Sequence, residues 1–142
     1  MQEFSDKGYD AVILLHDLDR WKELGVHKDR ESLYQKLANI PVPSNIKQFI
    51  CIPIEELEAW FWCDQNIIDK LARGKSKEKP HSSPHKIVKP KEKLIELSGK
   101  YGRPFYDTNM NKELAAILDL ELCSQTCPAF QGLKDFILSL CI

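Results

Sequence analysis

The sequence predicts a single α/β domain, a small parallel sheet flanked by helices. Its 142 residues are enough for one hydrophobic core. Two short apolar runs, YDAVILL (Tyr9 to Leu15) and KQFICI (Lys47 to Ile52), are typical of strands covered on both faces. Helix-like segments lie between and after them, and this order of elements favours parallel pairing of the two strands.

The helices are predicted from apolar spacing and from residues that begin helices. Asp29 is a suitable N-cap for the first one, in which Leu33 and Leu37 lie one turn apart. Pro53 ends the second strand, and prolines are also suited to the first turn of helices. The predicted helices span residues 29–37, 54–63, 66–72, 90–97, 108–118 and 128–140. Only two strands are convincing, which is few for a sheet covered on both faces.

The composition favours a cytoplasmic protein with reduced thiols. No apolar run approaches the roughly 20 residues of a membrane helix, and the polar start MQEFSDKGYD differs from a signal peptide. Five cysteines are an odd and scattered set, unlike a disulfide framework. Cys123 and Cys127 have C-x3-C spacing, but a zinc site needs two further ligands, so small buried side chains are the preferred interpretation.

Charge is distributed unevenly along the chain. Residues 73–93, here called the basic segment, contain eight Lys or Arg and two Asp or Glu, a net charge of +6. The residues before it carry −5 and those after it −2. Its Lys, Pro and Ser content predicts a flexible, solvated loop at about 73–89. Binding of a nucleic acid backbone is the alternative interpretation.

Acidic residues follow both predicted strands. Asp17 and Asp19 end the first strand in HDLDR, and Glu56 and Glu58 follow the second strand in IPIEELEAW. The carboxyl ends of parallel strands meet at one sheet edge, where α/β proteins bind ligands. Clustered carboxylates repel each other unless a hard cation such as Mg²⁺ or Mn²⁺ binds between them. The expected metal ligands are therefore Asp17, Asp19 and glutamates from positions 55–58, among which Glu58 lies nearest the apolar helix face and Glu55 and Glu56 point further outwards.

Other interpretations of these acids stay open. Asp17 or Asp19 can cap the next segment, and the glutamates can be a solvated helix start that suits the helix dipole. A haloacid-dehalogenase-type phosphatase would use Asp17 as nucleophile and Asp19 as acid/base. That family usually has Thr or Val at the position of Trp21.

VILLHDLDR, ICIPIEELEAWFWCD, a KP-containing segment and CPAFQGLKDFI together resemble a small family of bacterial Toprim-like proteins. Toprim is the topoisomerase–primase domain, and the resemblance covers roughly residues 9–140. It implies a Mg²⁺-binding α/β domain for phosphodiester chemistry. Its catalytic residues would be Asp17, Asp19 and Glu58, with Glu56 a further metal ligand. It also implies a nuclease or phosphotransfer component of a mobile-element or phage-defence system, with nucleic acid as substrate and an ATPase as partner.

The sequence departs from the Toprim pattern at its beginning. A Toprim domain has a strand ending in a glutamate, then a helix and a strand, before the D-x-D strand. Here the D-x-D strand comes almost first, so the expectation is an N-terminally short form. This departure favours the alternative of a non-catalytic module that acts through protein–protein contacts, for example as a homodimer joined at an exposed sheet edge.

Overall fold

The computed structural model describes residues 7–18, 29–102 and 104–141. These ranges form an α/β domain with a small parallel sheet and several helices. In chain order the strands and α-helices are β1 (Ala11–Leu15), α1 (Arg30–Ala38), β2 (Lys47–Cys51), α2 (Gln65–Leu71), α3 (Pro90–Gly99), α4 (Asn111–Ile117), α5 (Leu120–Thr126) and α6 (Pro128–Leu140). Three 3₁₀ helices lie between them, at Leu57–Cys63, Pro84–Lys86 and Thr108–Met110.

The two predicted strands pair in parallel, as expected. Their register joins Ala11 to Lys47 and Leu15 to Cys51, and within the described ranges the sheet has these two strands. One face of β1 is open, since Ile13 and Leu15, two residues apart on that face, are exposed; Val12 and Leu14 on the other face are half-buried. The α/β class is thus confirmed, while the burial of the sheet is less than the apolar runs predicted.

Helix α6 covers part of the sheet at β2. The rings of Phe49 and Phe136 stack with their centroids 5.0 Å apart. Gly132 permits this close approach, because a Cβ atom at that position would lie 3.3 Å from the Phe49 ring. The predicted start of this helix at Pro128 and its end at Leu140 are both confirmed.

The core is centred on the 3₁₀ helix Leu57–Cys63, here called the central helix. Six consecutive residues of it, Glu58 to Cys63, are buried. Helices α2, α3 and α5 pack around it and add Ile67, Leu94 and Cys123 to the same apolar cluster. The hydrophobic core therefore lies chiefly among the helices, and β2 contacts it through Cys51 and Phe49.

Several predicted helix boundaries were wrong because tertiary contacts changed the local geometry. The segment 54–63 becomes helical only at Leu57. Its helix is of the tighter 3₁₀ type, in which Ala59 N–H donates a hydrogen bond to Glu56 C=O, three residues earlier. Residues 108–118 divide into a 3₁₀ turn and α4. Helix α5 was missed altogether, because seven residues give little periodicity. The cap at Asp29 is confirmed, since its carboxylate accepts from Ser32 N–H at 3.1 Å.

Buried side chains anchor the basic segment to the domain at several points. Pro84, Ile87 and Pro90 are buried, and His81 N–H donates to Trp62 C=O at 2.8 Å. The His81 ring also meets the Trp62 ring edge-on at 5.6 Å. The segment thus has a fixed path at these points; the flexibility of residues 73–89 stays a prediction.

Two neighbouring residues of α3 test where the core lies. Leu94 is 0% exposed, whereas Ile95 is 41% exposed. We expect Leu94→Ala to lower the free energy of unfolding by about 2–5 kcal/mol, because it leaves a cavity beside the central helix. The matched control Ile95→Ala should change it by less than about 0.5 kcal/mol. Urea unfolding followed by circular dichroism measures both, and equal losses would contradict this description of the core.

Candidate functional site

Asp17 and Glu56, which follow the two strands, lie at the same edge of the sheet. The main-chain N–H of His16 donates a hydrogen bond to Cys51 C=O at 3.1 Å, and that of Leu18 donates to Pro53 C=O at 2.9 Å. The two segments that follow the strands therefore run side by side beyond the sheet. Asp17 lies between these two bonds. Its Oδ1 accepts from the main-chain N–H of Leu57 at 2.9 Å. Asp17 is therefore held at the start of the central helix, next to Glu56.

Glu56 connects this edge to α3. Its Oε2 accepts from the main-chain N–H of Lys91, in the first turn of α3, at 3.1 Å. An acidic side chain is stabilised at that position by the positive end of the helix dipole. Glu56 therefore joins the acidic edge of the sheet to the last part of the basic segment.

Glu58 turns towards the core, where its carboxylate meets a tyrosine. The Tyr106 hydroxyl lies 3.3 Å from Glu58 Oε1 and 2.6 Å from Asn111 Oδ1. A tyrosine hydroxyl has one proton to donate between these two acceptors. Burial, with the nearby Glu58 charge, raises the pKa of Tyr106 above its ordinary value of about 10. The tyrosine thus stays a neutral donor beside the carboxylate.

The structure corrects the expectation for Glu55, which is 4% exposed rather than pointing outwards. Glu58 is buried beside the apolar residues, as its position on the helix predicted. Asp19 lies outside the described residues, as does Trp21. Of the four predicted metal ligands, the structure thus places Asp17 and Glu56 together at the sheet edge and Glu58 on the side of the core.

The donor chemistry at this edge suits a hard cation, but the described residues do not complete a metal site. Within the described ranges, no group of three or more His, Cys, Asp or Glu residues is arranged to hold a metal ion. Asp17 and Glu56 each direct one carboxylate oxygen to a main-chain N–H, as ligating carboxylates in metal sites also do. A site with these two residues would need Asp19 or another donor.

Two structurally important residues were missed in the sequence. Asp64 is buried and accepts from Asn66 N–H at 2.8 Å and from Asp119 N–H at 2.7 Å, so it joins the start of α2 to that of α5. An Asp directly before a helix was a readable N-cap signal. Tyr106 had no such signal, because its partner Glu58 lies 48 residues away in the chain.

These features define a small α/β domain with acidic residues gathered at the carboxyl ends of parallel strands. A family model described as a domain of unknown function, DUF4276, matches residues 1–137. The chain belongs to this family. Comparisons with curated proteins and with solved structures found no match. In the described ranges, no helix has both the length and the apolar character that a membrane span needs.

The buried contact at Tyr106 is testable by removing its hydroxyl. Near pH 8 we expect Tyr106→Phe to lower the free energy of unfolding by about 1–3 kcal/mol, since Glu58 and Asn111 lose a buried partner. The pKa of Tyr106 is about 10 in the unfolded protein and higher in the folded protein. Below pH 10 the full contribution of Tyr106 to stability is present. As pH rises above 10, the tyrosine ionises first in the unfolded protein, and this contribution is lost. The difference between native protein and variant should therefore shrink above pH 10.

Urea unfolding at pH 8 and pH 10.5 measures this difference. Tyr34→Phe is the matched control, because Tyr34 is exposed on α1 and its ring contact with Arg30 survives the change. The control should behave like the native protein at both pH values. A Tyr106→Phe effect that is absent, or that grows with pH, would contradict the assignment.

Proposed function

We propose that this protein is a Toprim-like, Mg²⁺-dependent enzyme that acts on phosphodiester bonds, as a nuclease or a phosphotransfer enzyme. The proposal includes the biological setting implied by the resemblance, a bacterial mobile-element or phage-defence system with an ATPase partner. The single observation that carries it is the placement of Asp17 beside Glu56 at the carboxyl ends of β1 and β2. Ligand sites of α/β proteins occupy this position.

In this proposal, Asp17, Asp19 and Glu56 hold the metal ion and Glu58 supports them from the core side. A Mg²⁺ ion held by these residues would supply activation of water and stabilisation of negative charge on the departing oxygen. The main-chain N–H of Leu57 fixes the Asp17 carboxylate, and that of Lys91 fixes Glu56. Tyr106, next to Glu58, fixes the third carboxylate. Asp17, Glu56 and Glu58 each thus meet a hydrogen-bond donor of this chain.

The basic segment supports a phosphate-bearing substrate. Its cationic side chains are mostly exposed, among them Lys75, Lys77, Lys79 and Lys86. Two ion pairs of the described residues, Lys70–Glu113 and Lys134–Glu121, lie outside it. The basic segment reaches the acidic edge at Lys91, whose main-chain N–H donates a hydrogen bond to the Glu56 carboxylate. A nucleic acid strand lying on these lysines would be attracted by charge and led towards the carboxylates.

Metal binding is the first test of this function. We expect the native chain to bind Mn²⁺ in calorimetry, and Asp17→Asn/Asp19→Asn to bind it at least about tenfold more weakly, because charged ligands are lost. Asp10→Asn is the matched control, since Asp10 lies just before β1, at the opposite end of this strand. The control should retain the native affinity.

Cleavage of labelled single- and double-stranded DNA and RNA with Mg²⁺ or Mn²⁺ then tests the activity. The double variant should lose cleavage, and the control should keep it. Absence of Mn²⁺ binding in the native chain would reject the metal-dependent function. Undiminished cleavage by the double variant would reject these residues as the site.

A second candidate function is that of a non-catalytic module, and the exposed apolar side chains of β1 favour it. Ile13 is 38% exposed and Leu15 49% exposed, although parallel sheets are normally covered on both faces. In this candidate a second copy of the chain covers β1 and forms a homodimer. Pairing of strand edges and burial of these side chains would stabilise such a dimer.

Substitution on β1 tests the homodimer. We expect Ile13→Lys to shift the protein from dimer to monomer in light scattering coupled to size exclusion, because a charge replaces a buried apolar contact. Ile117→Lys is the matched control, since Ile117 is 41% exposed on α4, away from the sheet. A native chain that is monomeric at all concentrations would reject this candidate.

A further inference from the structure

Three cysteines that lie far apart in the sequence meet in the core. Cys63 ends the central helix, Cys123 lies in α5, and Cys127 lies between α5 and α6. All three are buried in the same apolar cluster. These residues are here called the thiol cluster. The C-x3-C spacing in the sequence indicates that Cys123 and Cys127 are close together. Cys63 joins them only because α5 packs on the central helix.

Cys123 and Cys127 are close enough along the backbone to form a disulfide. Cys127 N–H donates to Cys123 C=O at 2.8 Å, which closes one helical turn between them. Residues one turn apart in a helix have Cα atoms roughly 6 Å apart, within the range of about 4.4–6.8 Å found in disulfides. Cys127 itself has φ −122° and ψ 98°, so its backbone has already left the helix. The junction of the two helices can therefore adjust to a new bond.

Cys127 has the surroundings of a reactive thiolate. Hydrogen bonds from the thiols of Cys123 and Cys63 lower its pKa, and burial opposes them. The hydroxyl of Thr126 lies 3.6 Å from its sulfur. Cys127 is also the N-cap of the 13-residue α6, where the helix dipole favours a negative charge. The pKa of Cys123 is raised, chiefly by its hydrogen bond to Cys127.

A small cavity of about the size of one water molecule lies next to this thiol. It has a volume of about 10 Å³, and Cys127, His85, Trp60 and Pro128 are among its lining residues. That volume is close to the roughly 10–15 Å³ needed for one water molecule. A ligand of ordinary size would not fit, whereas a molecule such as hydrogen peroxide is only slightly larger than water.

We propose that Cys127 is a peroxide-reactive thiol and that its oxidation ends in a disulfide with Cys123. The Cys127 thiolate attacks one oxygen of hydrogen peroxide, the O–O bond breaks, and the departing oxygen takes a proton to leave as water. Cys127 is then a sulfenic acid. The Cys123 sulfur attacks the Cys127 sulfur, the S–O bond breaks, and water leaves with the Cys123 proton. Two thiols are oxidised by two electrons in total, and one peroxide is reduced.

The other two cysteines of the chain differ in the features that this chemistry uses. Cys51 is buried alone, its thiol donates to Ala129 C=O at 3.7 Å, and burial raises its pKa to about 11. Cys141 is exposed at the end of α6. Cys51 therefore serves as an internal control for burial, and Cys141 as a control for simple exposure.

Thiol mapping of the folded, full-length chain tests the proposal. The protein is treated with hydrogen peroxide, then alkylated under denaturing conditions, digested and analysed by mass spectrometry. We expect a loss of ~2 Da in a peptide holding both Cys123 and Cys127, with Cys51 still alkylated. In Cys141→Ser the disulfide should form as in the native chain. In Cys63→Ala it should still join Cys123 to Cys127, since Cys63 is not one of the bonded pair.

Cys123→Ala is the decisive variant, because it removes the partner and should leave Cys127 as sulfenic acid, detected by its adduct with dimedone. If this variant does not fold, the peptide map of the native chain alone decides. Full alkylation of Cys123 and Cys127 after peroxide treatment, with only Cys141 oxidised, would overturn the proposal. A disulfide formed instead with Cys63 would overturn the assigned pair. None of these outcomes depends on metal binding or cleavage.

Discussion

The burial of the central helix is the constraint on which the rest of the structure depends. Its sequence LEAWFWC has no polar face, and Glu58 to Cys63 are all buried. A helix buried on every side must be surrounded on every side. Helices α2, α3 and α5 supply that cover, together with the 3₁₀ turn Pro84–Lys86 of the basic segment. The positions of these elements therefore follow from how they pack on seven residues.

Burial of this region also takes carboxylates out of water, and hydrogen bonds from distant elements compensate for the cost. Asp64 accepts from the starts of α2 and α5. Glu56 accepts from the start of α3, and Glu58 lies against Tyr106. Glu56 and Glu58, two of the residues proposed as a functional site, thus also connect the central helix region to distant parts of the domain. Substitutions in them require a stability measurement beside every activity measurement.

The thiol cluster and the acidic edge adjoin the same central helix. Cys63 ends this helix, while the main-chain N–H of Leu57 at its start holds Asp17. The small cavity beside Cys127 is also lined by Glu56. Oxidation of the cluster would therefore act on the element that positions the carboxylates. The sheet, by contrast, lies at the periphery, and apolar side chains of β1 stay exposed there.

Local signals in the sequence were sufficient to predict the elements that begin at a clear N-cap or proline, or that consist of a clear apolar run. The two apolar runs predicted β1 and β2, Asp29 predicted the start of α1, and Pro128 that of α6, because each signal acts within a few residues. Tertiary packing alone decided the 3₁₀ geometry of the central helix, the burial of Glu55, and the meeting of Tyr106 with Glu58. These contacts join residues far apart in the chain, and no local pattern records them. The sequence thus determined the acidic strand ends, and only the packed structure decided which carboxylates turn to the sheet edge and which to the core.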